Sequence, residues 1–249
     1  MKKYKLTEET LKIYGSTLHR IIALRDFGNV KKGDLGGFIE KESNLAHNGN
    51  CWIYNDAVVR GDAMVYSDAK VFEEARVYGK AEVCGKARVF GEAEVYEEAE
   101  VFGKAEVFGE ARVYEEARVY GEAKVYGNAK VYGDAEVYGN AKVCGNAEVC
   151  GEARVYGKAE VCGEAEVCGN AIVYGDAKVE KKSDYIVFKN WWSSGRYFTW
   201  TRSNDMWSVG CFYGTGEELI KKAYADSEEK GREYERIVKY VESIKQEFK

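Results

Sequence analysis

The sequence holds two histidines, His19 and His47, and imidazole is the side chain that titrates nearest to neutral pH. Such a group could serve as a general base if a substrate proton came within hydrogen-bond reach. His19 lies in the alternating segment TLHRIIAL, where a strand accounts for it, and His47 lies at or just before the first repeat described below. We interpret both as structural residues, and the sequence assigns no catalytic, cofactor-binding or metal-binding residue.

Seven cysteines are the second set of residues that could do chemistry. Cys144 and Cys162 are separated by the same interval as Cys150 and Cys168, but no CxxC pair occurs and no zinc signature is present. If that interval makes one coil, as argued next, each pair lies side by side near the separation that a disulfide accepts. We nevertheless expect free thiols acting as small apolar residues, because a cytoplasmic protein keeps its thiols reduced.

A six-residue repeat positions most of these side chains. From Ala57 to Ala177 an alanine occupies every sixth position, 21 times in succession, and a valine follows each alanine two residues later. One further hexad precedes them, with Cys51 and Ile53 in the two positions. Fixed self-similarity over a short period is typical of solenoids.

Each hexad predicts a short strand followed by a corner. Alternate side chains of a strand point to opposite faces, so alanine and valine face inward while the charged residue and the aromatic residue face outward. Gly-Asn, Gly-Asp or Glu-Glu then forms the corner, since glycine and asparagine tolerate positive φ. Three strands and three corners close a triangular coil, and the 22 hexads predict about seven coils joined by parallel strand pairing. The absence of proline agrees, because every strand N–H is needed.

Outward aromatic residues are the most frequent surface feature of the repeat. Tyr or Phe occupies the outward position in 15 of the 22 hexads, and coils of three hexads stack these rings into columns on all three faces. We interpret the columns as ladders in which each ring packs on the next. The alternative is a contact surface, through which the chain forms a homo-oligomer, because tyrosine is favoured at interfaces.

Acidic corner residues also form columns, and residues 56–180 hold 25 acidic and 15 basic side chains, a formal charge of −10. Nucleic acid is therefore not expected to bind along the solenoid. We interpret the main candidate acidic edge as solvated, with a site for a basic partner or Ca²⁺ as the alternative. This edge consists of Glu97, Glu98, Glu115, Glu116, Asp134 and Glu152.

Two terminal segments are predicted to cover the open strand edges of the solenoid. Residues 1–50 are assigned to a small β cap, residues 51–180 to the solenoid and residues 181–249 to an α+β module. In the last segment DYIVFK, RYFTWT and MWSVGCFY predict an antiparallel meander of three strands. Thr215 and Glu218 form a capping-box signature for a helix near 216–225, and an apolar stripe predicts a second helix from about 228 to 247.

The C-terminal module concentrates tryptophan and arginine, which are typical of interface hot spots. Trp191 and Trp192 are adjacent and cannot both face inward from one strand, so one is expected to be exposed or to pack on the last coil or a second subunit. The candidate partner-binding residues are Trp191, Trp192, Arg196, Trp200, Arg202 and Trp207.

The hexad resembles that of the hexapeptide-repeat proteins, and this resemblance implies a left-handed parallel β-helix. The segment LHRIIALRDFGNVKKGDLGGFIEKESNLAHNGNCWIYNDAVV is similar to the N-terminal part of a family of uncharacterised, acetyltransferase-like hexapeptide-repeat proteins of enterobacteria and of phages or prophages. The segments VGCFYGTGEELIKKA and REYERIVKYVESIK resemble a C-terminal module of phage proteins. An acyltransferase of the hexapeptide type would use a histidine as general base, here His19 or His47, beside a loop that leaves the solenoid.

No hexad is interrupted by such a loop, and this favours a non-enzymatic interaction or scaffold protein of phage or prophage origin. Its solenoid and aromatic end module would engage a protein partner, conceivably a host or defence factor, and could also mediate self-association. A hexapeptide-type acyltransferase with an acyl-thioester donor is the first alternative, and a protein that sequesters a small ligand or nucleotide is the second. No apolar stretch approaches the roughly 20 residues of a membrane span, and no signal-peptide core is present, so we expect a cytoplasmic location without a cofactor.

Overall fold

The N-terminal segment forms an antiparallel sheet that continues into the solenoid. The computed structural model describes residues 2–192 and 194–247. β1 (Tyr4–Ile13) pairs with β2 (Ser16–Ala23), and β2 pairs with β3 (Leu35–Ile39), both antiparallel. β3 then pairs in parallel with the second strand of the repeat. The N-terminal sheet therefore covers the strand edge that this second repeat strand would otherwise expose.

The repeat forms 22 strands of two residues each, one for every hexad. In chain order they are β4 (Trp52–Ile53), β5 (Val58–Val59), β6 (Met64–Val65), β7 (Lys70–Val71), β8 (Arg76–Val77), β9 (Glu82–Val83), β10 (Arg88–Val89), β11 (Glu94–Val95), β12 (Glu100–Val101), β13 (Glu106–Val107), β14 (Arg112–Val113), β15 (Arg118–Val119), β16 (Lys124–Val125), β17 (Lys130–Val131), β18 (Glu136–Val137), β19 (Lys142–Val143), β20 (Glu148–Val149), β21 (Arg154–Val155), β22 (Glu160–Val161), β23 (Glu166–Val167), β24 (Ile172–Val173) and β25 (Lys178–Val179).

Every third strand joins the same parallel sheet, so the solenoid has three faces. The first face contains β3, β5, β8, β11, β14, β17, β20 and β23, the second β6, β9, β12, β15, β18, β21 and β24, and the third β4, β7, β10, β13, β16, β19, β22 and β25. Paired residues are three hexads apart throughout, for example Arg88 with Glu106. The predicted parallel β-helix is therefore confirmed, and β3 extends the predicted seven coils to about eight turns.

The interior is lined by the alanines and valines of the hexads. Every alanine from Ala57 to Ala177 and every valine from Val59 to Val179 in these positions is at most 1% exposed. Alanine and valine are small, so three short strands can bring their methyl groups into contact in the interior, or bore, of each coil. This close packing of methyl groups is the main apolar core of the molecule.

The corners require a left-handed backbone at one position per hexad. Gly121, with φ +73°, shows why glycine prevails: an added Cβ would lie 2.9 Å from the backbone nitrogen of Gly139 in the next coil. Glu97 and Glu115 adopt φ of +58° and +59° at the same position of other hexads. These two residues accept a conformation that costs a non-glycine residue about 1 kcal/mol or more.

The outward positions form ring ladders and ion-pair ladders. Ten pairs of rings stack face to face between coils, with centroids 4.3–5.0 Å apart. The predicted ladders on all three faces are therefore confirmed. Beside them, lysines and arginines pair with glutamates of the adjacent coil, as in Arg88 with Glu106 at 2.8 Å. Each exposed pair contributes at most about 1 kcal/mol.

The C-terminal segment folds into a four-stranded meander followed by two helices. The meander consists of β26 (Tyr185–Lys189), β27 (Tyr197–Thr201), β28 (Met206–Val209) and β29 (Phe212–Gly214). The prediction of one strand over MWSVGCFY was wrong, because Gly210 has φ +59° and turns the chain between β28 and β29. Helices α1 (Gly216–Asp226) and α2 (Glu228–Glu247) agree with prediction, and Thr215 and Glu218 form the expected capping box.

Side chains of the meander satisfy backbone groups of the last coil. Thr199 Oγ1 accepts from the N–H of Ile172 at 2.9 Å, and Ser203 Oγ accepts from the N–H of Lys178 at 2.7 Å. The hydroxyl of Tyr185 donates to the carbonyl oxygen of Glu166 at 2.9 Å. The N–H groups of Ile172 and Lys178 at this open edge are therefore not free to pair with another chain.

Two disulfides join neighbouring coils near the C-terminal end of the solenoid. Cys144 is bonded to Cys162 and Cys150 to Cys168, each pair with Cα atoms 4.5 Å apart. The expectation of free thiols at these four positions is therefore wrong in this structure. The physical reason is the register: residues one coil apart face each other on adjacent strands, at the short end of the separation that disulfides span.

Reduction of these disulfides is expected to destabilise the last coils. Each bond closes a loop with a sequence separation of 18, for which the chain-entropy relation gives about 3 kcal/mol, and the overlap of the two loops makes their sum smaller than twice that. Urea unfolding with and without reductant measures the difference. A variant with Cys144→Ser and Cys150→Ser is the control and should not respond to reductant. Identical wild-type midpoints in both conditions would contradict the prediction.

Candidate functional site

The end of the β26–β27 hairpin presents two adjacent tryptophans to solvent. Trp191 is 70% exposed and Trp192 82% exposed, and we call this pair the tryptophan tip. The loop folds back on the buried Asn190, whose N–H donates to the carbonyl of Arg196 and whose Oδ1 accepts from the N–H of Trp192 at 3.0 Å. Because Asn190 takes the inward position, both indole rings point away from the core.

A lysine links the tryptophan tip to the adjacent strand. Lys189 Nζ lies 3.9 Å from the ring centroid of Trp191 and 4.7 Å from that of Tyr197. Cation–π contacts of this kind stabilise an exposed ring by about 0.5–1 kcal/mol. The tip therefore combines a large apolar area with a positive charge, and Arg196 is exposed nearby.

The structure separates the other candidate partner-binding residues from this tip. Trp200 and Trp207 are 4% and 2% exposed and belong to the core between the meander and the helices. The indole N–H of Trp200 donates to Asp205 Oδ1 at 2.8 Å, which satisfies its polar atom within the fold. Arg202 lines a different cavity, of about 630 Å³, beside α2. Of the six residues, the hairpin end thus carries Trp191, Trp192 and Arg196, whereas Trp200 lies beside Trp207 and lines the same cavity as Arg202.

The two histidines are engaged in contacts within the N-terminal segment. His47 Nδ1 accepts from the backbone N–H of Lys3 at 3.2 Å, and its Nε2 lies 2.6 Å from Glu42 Oε1. A neutral imidazole has one lone pair, and here the amide of Lys3 uses it, so Nε2 carries the proton and donates to Glu42. Nδ1 of His19 lies 3.2 Å from the carbonyl oxygen of Thr7 and must donate to it. His47 therefore cannot accept a proton without losing a structural contact.

A buried lysine and cysteine beside His47 were not identified from the sequence. Lys3 is fully buried, and its Nζ donates to the carbonyl oxygen of Cys51 at 2.8 Å and to Cys51 Sγ at 3.1 Å. Burial lowers the pKa of Lys3 and raises the pKa of the Cys51 thiol. Lys3 lies in a polar N-terminal stretch, where neither pattern nor spacing indicates burial. Because no solvent reaches the pair, we assign it a structural role.

The candidate acidic edge lies along one corner of the solenoid, and two of its carboxylates, those of Glu97 and Glu98, have partners. Glu115 N–H donates to Glu97 Oε2 at 3.0 Å, and Glu98 Oε1 pairs with Lys80 Nζ at 2.6 Å. Glu116 and Asp134 line an open groove of about 410 Å³ together with Arg118. The three-hexad register places the residues of this edge in two adjacent columns of one corner, Glu97 with Glu115, and Glu98 with Glu116, Asp134 and Glu152.

One group of side chains within the described residues has the spacing of metal ligands. Cys150, Cys168 and Glu166 each offer a donor atom, and the three atoms lie within 4.8 Å of one another. The two sulfurs are bonded to each other, and Glu166 pairs with Lys182. The donor atoms are therefore already used, and a metal would first require reduction of the disulfide.

Comparisons with known proteins give one informative similarity. The chain is 39% identical over 67 residues to the "uncharacterized acetyltransferase YdcK" of Escherichia coli (strain K12), which covers 24% of this chain and 21% of that protein. The chain thus matches about a fifth of the length of this relative. No family model matches the chain. Within residues 2–192 and 194–247, no helix is long and apolar enough to cross a membrane. The chain is thus a hexapeptide-repeat solenoid with partial similarity to a protein named as an acetyltransferase.

Proposed function

We propose that this protein is a non-enzymatic interaction protein that engages a protein partner through the tryptophan tip. The observation that carries the proposal is the exposure of Trp191 and Trp192 side by side, next to Lys189 and at the end of the hairpin that also holds the exposed Arg196. Tryptophan and arginine contribute most to interface hot spots. Two adjacent indoles in water are costly for a monomer unless a partner covers them.

The solenoid supports this proposal as a rigid support for the tip. Residues 51–180 form strands and corners without an inserted loop. The repeat therefore contributes no loop that could form the wall of an active site. The meander that carries the tip is attached to the last coil through Thr199, Ser203 and Tyr185. A phage or prophage origin, a host or defence factor as the partner and a cytoplasmic location are part of the same proposal. In the cytoplasm the two disulfides would be exposed to reduction.

A hexapeptide-type acyltransferase is the second candidate, and it is favoured by the similarity to YdcK. His19 is the side chain that such an enzyme would use, because its Nε2 has no partner within the described residues, whereas both nitrogens of His47 are engaged. His19 does not line the cleft of about 750 Å³ beside the first coils. Release of free thiol from acetyl-coenzyme A, abolished by His19→Ala, would establish this candidate in place of the interaction protein.

Removal of the tryptophan tip is expected to abolish partner binding without changing stability. A tagged chain with Trp191→Ala and Trp192→Ala should retain less than about a thirtieth of the wild-type affinity for its partner, since a hot-spot residue contributes about 2 kcal/mol or more. Quantitative mass spectrometry after affinity capture identifies the partner, and titration with that purified partner measures the loss. Melting temperatures should agree within about 2 °C, because neither ring is in the core.

Tyr14→Ala is the matched control for this experiment. Tyr14 is 88% exposed and lies at the opposite, N-terminal end of the molecule. Its removal tests whether the loss of any exposed aromatic side chain reduces capture of the partner. The control should bind like the wild-type chain. Equal capture by the tip variant and the control would refute the proposed role of the tip.

A further inference from the structure

An open cleft lies at the N-terminal end of the third face. It has a volume of about 750 Å³, within the range of about 300–1,000 Å³ typical of small-molecule sites. We call it the N-terminal cleft. It is formed where the turn at Gly28 and Asn29 projects over the first coils. Below this turn the lining includes Tyr54, Asp68, Lys70, Phe72, Lys86 and Arg88.

The wall formed by the turn is held by specific contacts. Phe27 and Val30 exchange both backbone hydrogen bonds, at 3.0 and 2.8 Å, and this fixes the two-residue turn between them. Gly28 has φ +51° and lies against Asn50. The amide nitrogen of Asn50 in turn donates to Asp68 Oδ1 at 3.0 Å. The cleft is therefore largely formed before any ligand arrives, which lowers the entropy cost of binding.

Two lysines without an ion pair within the described residues mark this cleft. Of the 15 basic residues between positions 56 and 180, eleven pair with a glutamate of an adjacent coil. Within the described residues, Lys70 and Lys86 have no acidic partner, and both line the cleft. Arg88 also lines it. Arg88 pairs with Glu106, so the two unpaired lysines and Asp68 leave the cleft a net formal charge of +1 on an otherwise acidic solenoid.

An aromatic wall lies beside these cations. Phe72 stacks on Phe90 below it at 4.8 Å, but the ring above it, Tyr54, is perpendicular and 6.5 Å away. The regular ladder of the third face therefore ends at Phe72, inside the cleft. Arg88 lies 5.2 Å from the Phe72 centroid, which places a cation next to the ring. An aromatic wall with adjacent cations is suited to a planar ligand that carries negative charge.

We propose that the N-terminal cleft binds a small organic phosphate that contains an aromatic ring, such as a nucleoside monophosphate. Lys70 and Lys86 receive the phosphate, and the ring packs against Phe72 and Tyr54. A long polyanion fits less well, because the groove that continues from the cleft along the third face has Lys104, Lys124 and Lys142 neutralised by glutamates. This site is independent of the tryptophan tip, which lies in the C-terminal module.

Isothermal titration calorimetry with adenosine monophosphate, inorganic phosphate and adenosine as separate probes tests the proposal on the full chain. Adenosine monophosphate should bind with one site per chain and more tightly than either of its parts. Lys70→Gln and Lys86→Gln should each weaken binding by about tenfold or more, the loss expected for a charged hydrogen bond. Phe72→Leu should weaken the nucleotide and leave inorganic phosphate unchanged.

Lys158→Gln is the matched control, because Lys158 occupies the same corner column as Lys86, four coils away, and also has no ion-pair partner within the described residues. It should bind the nucleotide like the wild-type chain. Three results would overturn the proposal: no saturation with millimolar nucleotide, equal affinity for nucleotide and inorganic phosphate, or equal losses from Lys86→Gln and Lys158→Gln. Melting curves check that each variant is folded. The substituted lysines are at the surface, so their replacement should not unfold the chain.

Discussion

Val119→Asp is expected to abolish cooperative folding of the central coils. Val119 is fully buried in the bore, where its neighbours in the adjacent coils are Val101 and Val137. A carboxylate at this position would have neither water nor a hydrogen-bond donor, and the cost is at least about 4 kcal/mol. This is comparable to the whole stability of an ordinary domain, about 5–15 kcal/mol. Circular dichroism during urea titration measures the loss.

Arg118→Gln is the matched control, since Arg118 is the adjacent residue of the same strand and points outward. Its side chain is 52% exposed and pairs with Glu100 at 3.5 Å, so its loss should cost no more than about 0.5 kcal/mol. The contrast between neighbouring positions tests the alternation of inward and outward side chains directly. Similar stabilities of the two variants would mean that this strand does not face the bore as described.

We expect the solenoid to unfold at a lower alkaline pH than an ordinary protein of this size. Burial against neighbouring rings raises the pKa of Tyr96, Tyr132 and Tyr138 to about 12, and it raises the pKa of Tyr78 still further. In the unfolded chain these phenols have a pKa near 10. Between pH 10 and about 12 the unfolded state therefore loses protons that the folded state retains.

The sign of this effect follows from proton linkage. Stability falls with rising pH wherever the folded state binds more protons, so the contribution of each ladder tyrosine is complete below pH 10 and is lost as the pH approaches 12. Several tyrosines act together, which makes the transition steep. Urea midpoints at pH 9 and pH 11.5, with the ultraviolet absorbance of phenolate as the second readout, measure the effect.

Phenylalanine substitutions within one ladder provide the control for the alkaline transition. The third face already contains Phe72, Phe90 and Phe108 stacked at 4.8 Å, so a phenyl ring fits the ladder without a hydroxyl. Tyr96→Phe combined with Tyr132→Phe should leave stability at pH 9 within about 1 kcal/mol and move the alkaline transition to higher pH. An unchanged transition would show that ladder tyrosines do not cause it.

Interior and ladder positions could be predicted from the sequence because every coil makes the same contacts with the next coil. A residue meets the residue three hexads away, so stacking of Tyr96 on Tyr114, or pairing of Arg88 with Glu106, follows once the period is known. The disulfides show the limit of this argument. The register places Cys144 opposite Cys162, but whether the thiols are bonded depends on side-chain orientation, which the period leaves open.

One feature of the N-terminal cleft could have been recognised from the residues that the repeat places in adjacent coils. Lys70 has Trp52 and Arg88 as its neighbours one coil away, and neither is acidic. Such an unmatched lysine could have been noticed from the sequence. The cavity itself could not, because its wall comes from the turn at Gly28, whose place over the third face depends on how residues 24–34 cross from β2 to β3.

The sequence by itself determined the three-faced parallel solenoid, its alanine and valine bore and its stacked rings, because a six-residue period repeats the same local choices at every coil. Tertiary structure alone decided that Trp191 and Trp192 are both exposed while Trp200 and Trp207 are buried, and that Lys3 is enclosed beside Cys51. Burial at the two ends depends on contacts between segments that share no period. The packing of the whole chain, rather than any local sequence pattern, decides which of those side chains are exposed to water.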